Sequence, residues 1–367
     1  MISHIDIKNF KSLKDISIEL KPLNILMGLN GMGKSSFLQS LLMLLQSDDL
    51  EKEIINLNGS LIDLGLGRDV LYQFAQVDFI ELGLCFNNSA VFNWKFNYQA
   101  DKDKLKTNSY LANKDLKYFR SQTNNFHFIG AERIGPRDSY DASKVIVTDK
   151  KYIGLSGEYA AYYLNQFGSK NKVPIALRHH NAMDEVETLL EHTIAWLGEI
   201  SPGITLATKY LPEINKVILD YQYILGQGRT NSFKPKNVGF GITYVLPVIV
   251  ALLTAEKDKI IIIENPESHI HPRGQAELGK LITLAASTGA QLFIETHSDH
   301  ILNGIRVAVK EQLIAKENAN IIYFEKETTE NEQFSKTTTI NIDQNGELSE
   351  YPKDFLDEWN NQLLKLI

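Results

Sequence analysis

The stretch Gly28-Leu29-Asn30-Gly31-Met32-Gly33-Lys34-Ser35 constrains this chain more than any other part of it. It fits the pattern G-x-x-x-x-G-K-[ST]. An apolar run, Leu23–Met27, precedes it, and Phe37, Leu38, Leu41, Leu42 and Leu45 follow on a 3–4 spacing. Strand, glycine loop and helix in that register make a phosphate cradle. Glycines let the backbone curl so that successive N–H groups point at phosphate oxygens. The helix N-terminus adds partial positive charge. Lys34 then reaches β- and γ-phosphates, and the Ser35 hydroxyl suits Mg²⁺. Asn30, Gly31, Gly33 and Ser36 complete the predicted binding loop.

Three further segments carry chemistry. Lys259-Ile260-Ile261-Ile262-Ile263-Glu264-Asn265-Pro266-Glu267 is a continuous β-branched run closed by carboxylates. Such a run reads as a parallel strand buried on both faces, with its acids at the end where open α/β sheets place their ligands. Glu264 can hold Mg²⁺ through water, and Glu267 can polarise an attacking water as general base. On its own, the same segment would also fit a solvated acidic turn. Gln291-Leu292-Phe293-Ile294-Glu295-Thr296-His297-Ser298 is a second buried strand, and His297 at its end can reach a γ-phosphate or the attacking water. Asn237-Val238-Gly239-Phe240-Gly241-Ile242-Thr243-Tyr244 opens an apolar helix running to Leu253. Gly239, Gly241 and Thr243 there make a second anion site, or else a plainly capped helix.

Composition narrows the field. A length of 367 residues fits one large α/β domain with insertions, or two lobes. Thirty-eight Lys and Arg against 45 Asp and Glu give a net charge of −7, which removes any argument from bulk basicity. A single cysteine, Cys85, excludes an internal disulfide framework and a cysteine-rich zinc site, and a cytoplasmic setting is expected. The opening Met1–Ile7 alternates like a strand and has no secretory signature. The longest apolar stretch, Ile242 to Ala255, falls short of the roughly 18–20 residues a membrane span needs.

Along the chain, residues 1–27 read as two or three strands and 78–100 as a further pair. Residues 101–125 read as a charged surface excursion, with a basic cluster over Lys102–Lys117. Met183 to Leu197 is predicted as a helix. From Lys234 to Arg306 the pattern is helix, strand, helix, strand, helix, and Ile340 to Ile367 is a strand plus a terminal helix. No long coiled coil is predicted.

Taken in order, the four motifs resemble the ABC-type ATPase heads of the SMC-like and overcoming-lysogenization-defect-like superfamily. Ile5 to Lys14 looks like the first strand pair of those heads, and Glu264 to Pro272 like the Walker B stretch and D-loop. Glu295 to Ser298 looks like the switch histidine, and Val238 to Thr243 like a divergent signature. The tail, with Tyr351, Pro352, Phe355 and Trp359, resembles that of a bacterial branch found in anti-phage loci.

The resemblance implies an α/β fold. A mixed β lobe, a central mainly parallel sheet flanked by helices, and a helical insertion are expected. It implies an ATPase domain over 1–335, comprising 1–130 (β lobe and phosphate loop), 131–235 (mostly helical) and 236–335 (signature, Walker B and switch histidine). A small strand–helix tail over 336–367 follows. ATP and Mg²⁺ are the implied cofactors. A homo-oligomer closing head to tail over ATP and a separately encoded effector, a nuclease or toxin, are the implied partners. No nuclease domain is expected within the chain.

The chain departs from the pattern at three places. Asn265 stands where a second acid is usual, Tyr244 stands where glutamine is common, and no Q-loop glutamine beyond Gln73 and Gln76 offers itself. Arg133, Pro136 and Arg137 look like an element near the nucleotide, or equally like a surface turn with two solvated arginines. Two other readings stay open: a DNA-repair head on duplex DNA, and an ATP-dependent scaffold that scarcely hydrolyses. A transporter subunit is disfavoured by the Glu-x-Pro-Glu strand end and the large insertion.

Overall fold

Runs such as Ile260–Glu264 offer no polar alternation, so neither face of the strand can meet water, and layers must cover both. The computed structural model describes residues 1–47, 53–87, 91–107, 125–180, 182, 187–352, 355 and 362–366. Strands β1 (Ile2–Phe10) and β2 (Leu13–Glu19) form a hairpin, and β3 (Leu23–Met27) leads through the glycine loop into α1 (Lys34–Gln46). There follow β4 (Ile54–Asn56), the short α2 (Gly67–Val70), β5 (Phe79–Phe86), β6 (Val91–Asn97), β7 (Lys104–Lys106) and β8 (Phe126–Ile129). The middle holds β9 (Tyr140–Asp141), α3 (Ala160–Phe167), α4 (Leu189–Ile200), β10 (Ile204–Leu211), β11 (Lys216–Leu225) and β12 (Gly228–Arg229). The last part alternates α5 (Phe240–Leu253), β13 (Ile260–Glu264), α6 (Pro272–Ser287), β14 (Gln291–Glu295) and α7 (Asp299–Lys310). It ends in the hairpin β15 (Ala319–Thr328) and β16 (Gln333–Asn341).

The central sheet runs β16-β15-β3-β14-β13-β8, parallel except for the antiparallel edge β16. Its period-2 alternation feeds two cores. Ile261, Ile263, Leu292, Ile294, Leu23 and Ile25 point to the side of α5, α6 and α7. Ile260, Ile262, Phe293, Leu26 and Phe324 point to α1 and the antiparallel sheet β2-β1-β5-β6. This is the expected central mainly parallel sheet flanked by helices. Among the described residues there is no long coiled coil, and no helix is long and apolar enough to cross a membrane.

With both faces apolar, hydrophobic patterning alone cannot choose the strand register. Buried amides at the strand starts do so. Asn24 donates to the carbonyls of Lys21 and Leu292 and accepts from the Lys21 N–H. Gln291 accepts from the Ile2 N–H at 2.9 Å and donates to the carbonyls of Ile2 and Lys21. Asn320 donates to the Glu19 carbonyl.

The structure corrects three expectations, two of them in the middle of the chain. The helix predicted from Met183 begins at Leu189, because the Thr188 hydroxyl accepts from the Glu191 N–H and caps it there; residues 183–186 lie outside the described residues. The segment 131–235 is not mostly helical. Besides α3 and α4 it carries the antiparallel β10–β11 pair, with β9 on the far edge of β11. Val217, Leu219 and Tyr221 alternate into the core there, a period of two that the helical reading passed over. The strand expected to open a separate tail belongs to the central sheet, since β16 pairs with β15 along its whole length. Most of the expected terminal helix, and the basic cluster beyond Thr107, lie outside the described residues.

Replacing Gln291 with alanine leaves the Ile2 N–H and the Ile2 carbonyl without this partner, and the Lys21 carbonyl with Asn24 alone. The expected loss in urea unfolding is about 1–3 kcal/mol. A loss within error of zero would mean that these amides do not set the register.

Candidate functional site

The glycine loop is shaped by backbone that side chains cannot adopt. Gly33, at the N-cap of α1, has φ +111°, and Gly28 has φ +133°. A Cβ on Gly28 would lie 2.2 Å from the Phe324 carbonyl oxygen of β15, so only glycine lets the loop leave β3 against its neighbour. Lys34 is buried at 3% exposure, and its Nζ turns back to donate to the Gly28 and Leu29 carbonyls at 2.8 and 2.9 Å. Burial lowers the Lys34 ammonium from its ordinary value, while Glu295 and then Glu267 push it back up. Ser35 Oγ donates to Glu295 at 3.2 Å to each carboxylate oxygen.

Three carboxylates face this loop. Glu264 and Glu295 end β13 and β14 as direct register partners. Glu264 accepts the Ala131 N–H at 2.9 Å; burial raises its carboxyl, opposed by that N–H and by Arg133. Glu295 is pushed up to about 7, first by burial and then by the neighbouring Glu264, against Lys34 and Ser35. Glu267 accepts from Thr296 Oγ1 at 2.8 Å and from the His297 N–H at 2.9 Å, which ties the turn after β13 to the turn after β14. His297 is exposed at the strand end. Desolvation and then the charge on Lys34 hold its imidazole below its ordinary value, so it is neutral at pH 7.

Arg133 is the organiser that the surface-turn alternative would not supply. It is buried at 5% exposure, and its guanidinium donates to the carbonyls of Gly130, Glu264 and Asn265. It also lies 4.5 Å over the Tyr244 ring. Tyr244 Oη donates to the Ala131 carbonyl at 2.6 Å and accepts the Arg133 N–H at 3.1 Å. The aromatic that replaces the expected glutamine therefore joins α5 to the acidic strand end. Arg137 is exposed, as a solvated arginine would be. Asn265 holds a left-handed backbone, φ 45°, which asparagine tolerates better than most residues. Its N–H donates to the Glu295 carbonyl at 2.8 Å.

The residues at the start of α5 have their contacts elsewhere. A Cβ on Gly241 would lie 2.1 Å from the His269 carbonyl oxygen, so α5 starts hard against the turn that follows Glu267. Gly239 and Phe240 are exposed, and no side chain caps the helix. Thr243, expected at an anion site, is buried, with its hydroxyl 3.4 Å from Tyr221 Oη.

Residues 119–303 match the family described as "AAA domain, putative AbiEii toxin, Type IV TA system". The chain belongs to this family. Residues 1–129 match an "AAA ATPase domain" family, and residues 314–366 match a "Protein of unknown function (DUF3696)" family. Among solved structures, the chain is similar to an SMC head bound to the C-terminal winged-helix domain of ScpA. That match has a TM-score of 0.58 and 13% identity, over 93% of this chain and 98% of that one. It is also similar to an SMC head domain with an extended coiled coil, bound to the C-terminal domain of ScpA derived from Pyrococcus furiosus. Here the TM-score is 0.55 and the identity 12%, over 100% and 99% of the two chains. No match is found among curated proteins. In fold the chain is like an SMC head, and in family it is an AAA-domain protein.

In this ATPase head the tertiary structure brings Lys34, Ser35, Glu264, Glu267 and His297 to the ends of three adjacent strands. It adds Glu295 and Thr296, to which the motif reading assigned no role. The signal for Glu295 was present: it ends its strand as Glu264 ends its own. Arg133, which resemblance set near the nucleotide or else in a surface turn, finds two of its carbonyls, Glu264 and Asn265, in a distant segment.

The raised Glu295 carboxyl has a stated sign. The folded head binds a proton that the unfolded chain, near 4.5, releases earlier. Stability contributed by this group is therefore present at low pH and is lost as pH rises between about 4.5 and 7. In Mg²⁺-free, nucleotide-free protein, Glu295→Gln is expected to narrow the difference in urea midpoint between pH 5 and pH 8. An unchanged difference would mean that another group titrates.

Proposed function

We propose that this head binds ATP with Mg²⁺ and hydrolyses it. Two copies close head to tail over two nucleotides, and the closed form regulates or assembles with a separately encoded effector, a nuclease or toxin, in prokaryotic anti-phage defence. The observation that carries the reading is the meeting of Lys34 and Ser35 with Glu264, Glu267, Glu295 and His297 at the carboxyl ends of β3, β13 and β14. A parallel sheet places ligands at that edge.

The donor set suits the cofactors. Ser35, Glu264 and Glu295 offer hard oxygens, as Mg²⁺ requires, and the neighbouring carboxylates of Glu264 and Glu295 favour added positive charge. When bound, the ion would supply positive charge to phosphate oxygens. Lys34 holds two loop carbonyls, contacts its ammonium can exchange for phosphate oxygens. Glu267 is the candidate base: Thr296 and the His297 N–H orient its carboxylate and leave lone pairs for a water proton. Neutral His297 can then accept or donate one hydrogen bond beside it.

The uncapped start of α5 presents free N–H groups for an anion brought by a second copy. Phe240 beside it is 45% exposed, and Leu29 in the phosphate loop is 52% exposed, apolar surface that closure would cover. The two similar SMC heads are each bound to a partner protein, which supports an effector acting in trans.

A second reading, an ATP-dependent scaffold with little turnover, is favoured by Asn265. Its amide cannot take a proton, and its Oδ1 is buried without a partner. Turnover separates the two readings. Glu267→Gln is expected to bind ATP, to slow hydrolysis by about 10²–10⁴-fold and to accumulate as a dimer in native mass spectrometry with ATP and Mg²⁺. Equal turnover in wild type and variant would remove Glu267 as the base and leave the scaffold.

Lys34→Ala is expected to lose nucleotide binding; affinity like wild type would refute the phosphate-loop assignment. A protein that co-purifies with Glu267→Gln at fixed stoichiometry would identify the effector. A bare dimer, or one holding nucleic acid, would count against the effector and for a DNA-binding head.

A further inference from the structure

Well outside the phosphate loop, the segment before α4 brings two histidines onto one glutamate of that helix. His179 Nε2 lies 3.1 Å from Glu199 Oε1, and the His180 ring stacks on the His179 ring with centroids 4.5 Å apart. One ligand-capable atom from each of His179, His180 and Glu199 lies within 4.8 Å of the other two. We propose that these three residues form a binding site for a divalent transition-metal ion of the zinc type, with one coordination position left open to solvent.

The donor set and its packing both support the site. Two imidazole nitrogens and one carboxylate oxygen are the ligands of three-coordinate protein sites that keep a fourth position for water. Tetrahedral zinc, with ligand bonds of about 2.0–2.2 Å, needs its donors roughly 3.3–3.5 Å apart. The His179–Glu199 pair is already near that separation, so the adjustment falls on His180, which is exposed and can change rotamer. An acid–histidine ion pair would account for His179 and Glu199 alone. It gives no reason for a second imidazole within the same reach.

The backbone that carries both histidines is fixed on α4 before any ion arrives. The His179 N–H donates to His192 Nδ1 at 3.0 Å, and Trp196 Nε1 donates to the Leu177 carbonyl at 3.0 Å. The His179 ring meets the Trp196 ring edge-on at 4.7 Å. Its side chain is 1% exposed. Arg273, in the first turn of α6, lies 3.6 Å from Glu199 Oε2 and orients the carboxylate from its other side. A bound ion would therefore clip the segment before α4 to that helix and, through Glu199, to the start of α6.

The test uses the full-length protein, stripped with chelator and titrated with Zn²⁺ alone in calorimetry. Excess Mg²⁺ is kept present to occupy the carboxylates at the phosphate loop. One equivalent is expected to bind, and His180→Ala and Glu199→Gln are each expected to weaken it by about tenfold or more. Co²⁺ in place of Zn²⁺ should give the intense visible absorption of a tetrahedral site, lost in His180→Ala. His180 is exposed, so that variant should keep the wild-type melting temperature in chelator, which separates lost binding from lost folding. No binding at about 100 µM Zn²⁺, a Kd already no better than roughly −5 kcal/mol, would overturn the proposal. So would one equivalent held equally by wild type and His180→Ala.

Discussion

Two buried cations, Lys34 and Arg133, hold together the end of the central sheet where the candidate nucleotide site is gathered. Each sits among groups that would be costly to bury alone. Lys34 faces Glu295 at 4.0 Å and donates to two carbonyls of the phosphate loop. Arg133 donates to three carbonyls where β8 and β13 end and lies over the Tyr244 ring. A guanidinium is suited to this, because its planar fork reaches several oxygens at once and stays charged. Removing either cation would leave carboxylates or carbonyls without their main partner, a larger cost than the bond itself. The loops around the site are thus shaped by charge, while the sheet beneath them is shaped by apolar burial.

The two kinds of force divide the work along each strand. Within β3, β13 and β14 both faces are apolar, and the strands supply stiffness but no chemistry. At the starts of β3, β14 and β15, Asn24, Gln291 and Asn320 set the register with buried hydrogen bonds. At their carboxyl ends, the same register sets Glu264 beside Glu295 and brings the Glu267 carboxylate onto the His297 N–H. An error of one residue at the amide end would carry a carboxylate to the wrong face at the other. Register and site are one problem, solved at opposite ends of five-residue strands.

The metal site proposed on α4 lies in the part of the chain least readable from local pattern. The segment 131–235 was expected as helix and holds an antiparallel sheet as well, because alternation at Val217, Leu219 and Tyr221 is short and mixed with polar residues. His179, His180 and Glu199 are not spaced like a known ligand motif, and they meet only because the segment before α4 folds back along that helix. Thr243 shows the opposite case. It sits at an apt motif position, yet the helix turns its hydroxyl toward Tyr221.

What the sequence by itself determined was whatever depends on near neighbours in the chain. The glycine loop between β3 and α1, the β-branched runs ending in Glu264 and Glu295, and the apolar helix from Phe240 are local patterns. Backbone sterics and hydrophobic period write them within about ten residues. The tertiary structure alone decided which side chains from distant segments meet. Glu295 becomes a proton-holding group only because it is buried and Glu264 lies beside it, which together outweigh the pull of Lys34 and Ser35. Arg133 becomes an organiser only because β8 lies beside β13 and offers it carbonyls. Charge and hydrogen bonding act through space over a few ångströms, and no spacing along the chain records that distance.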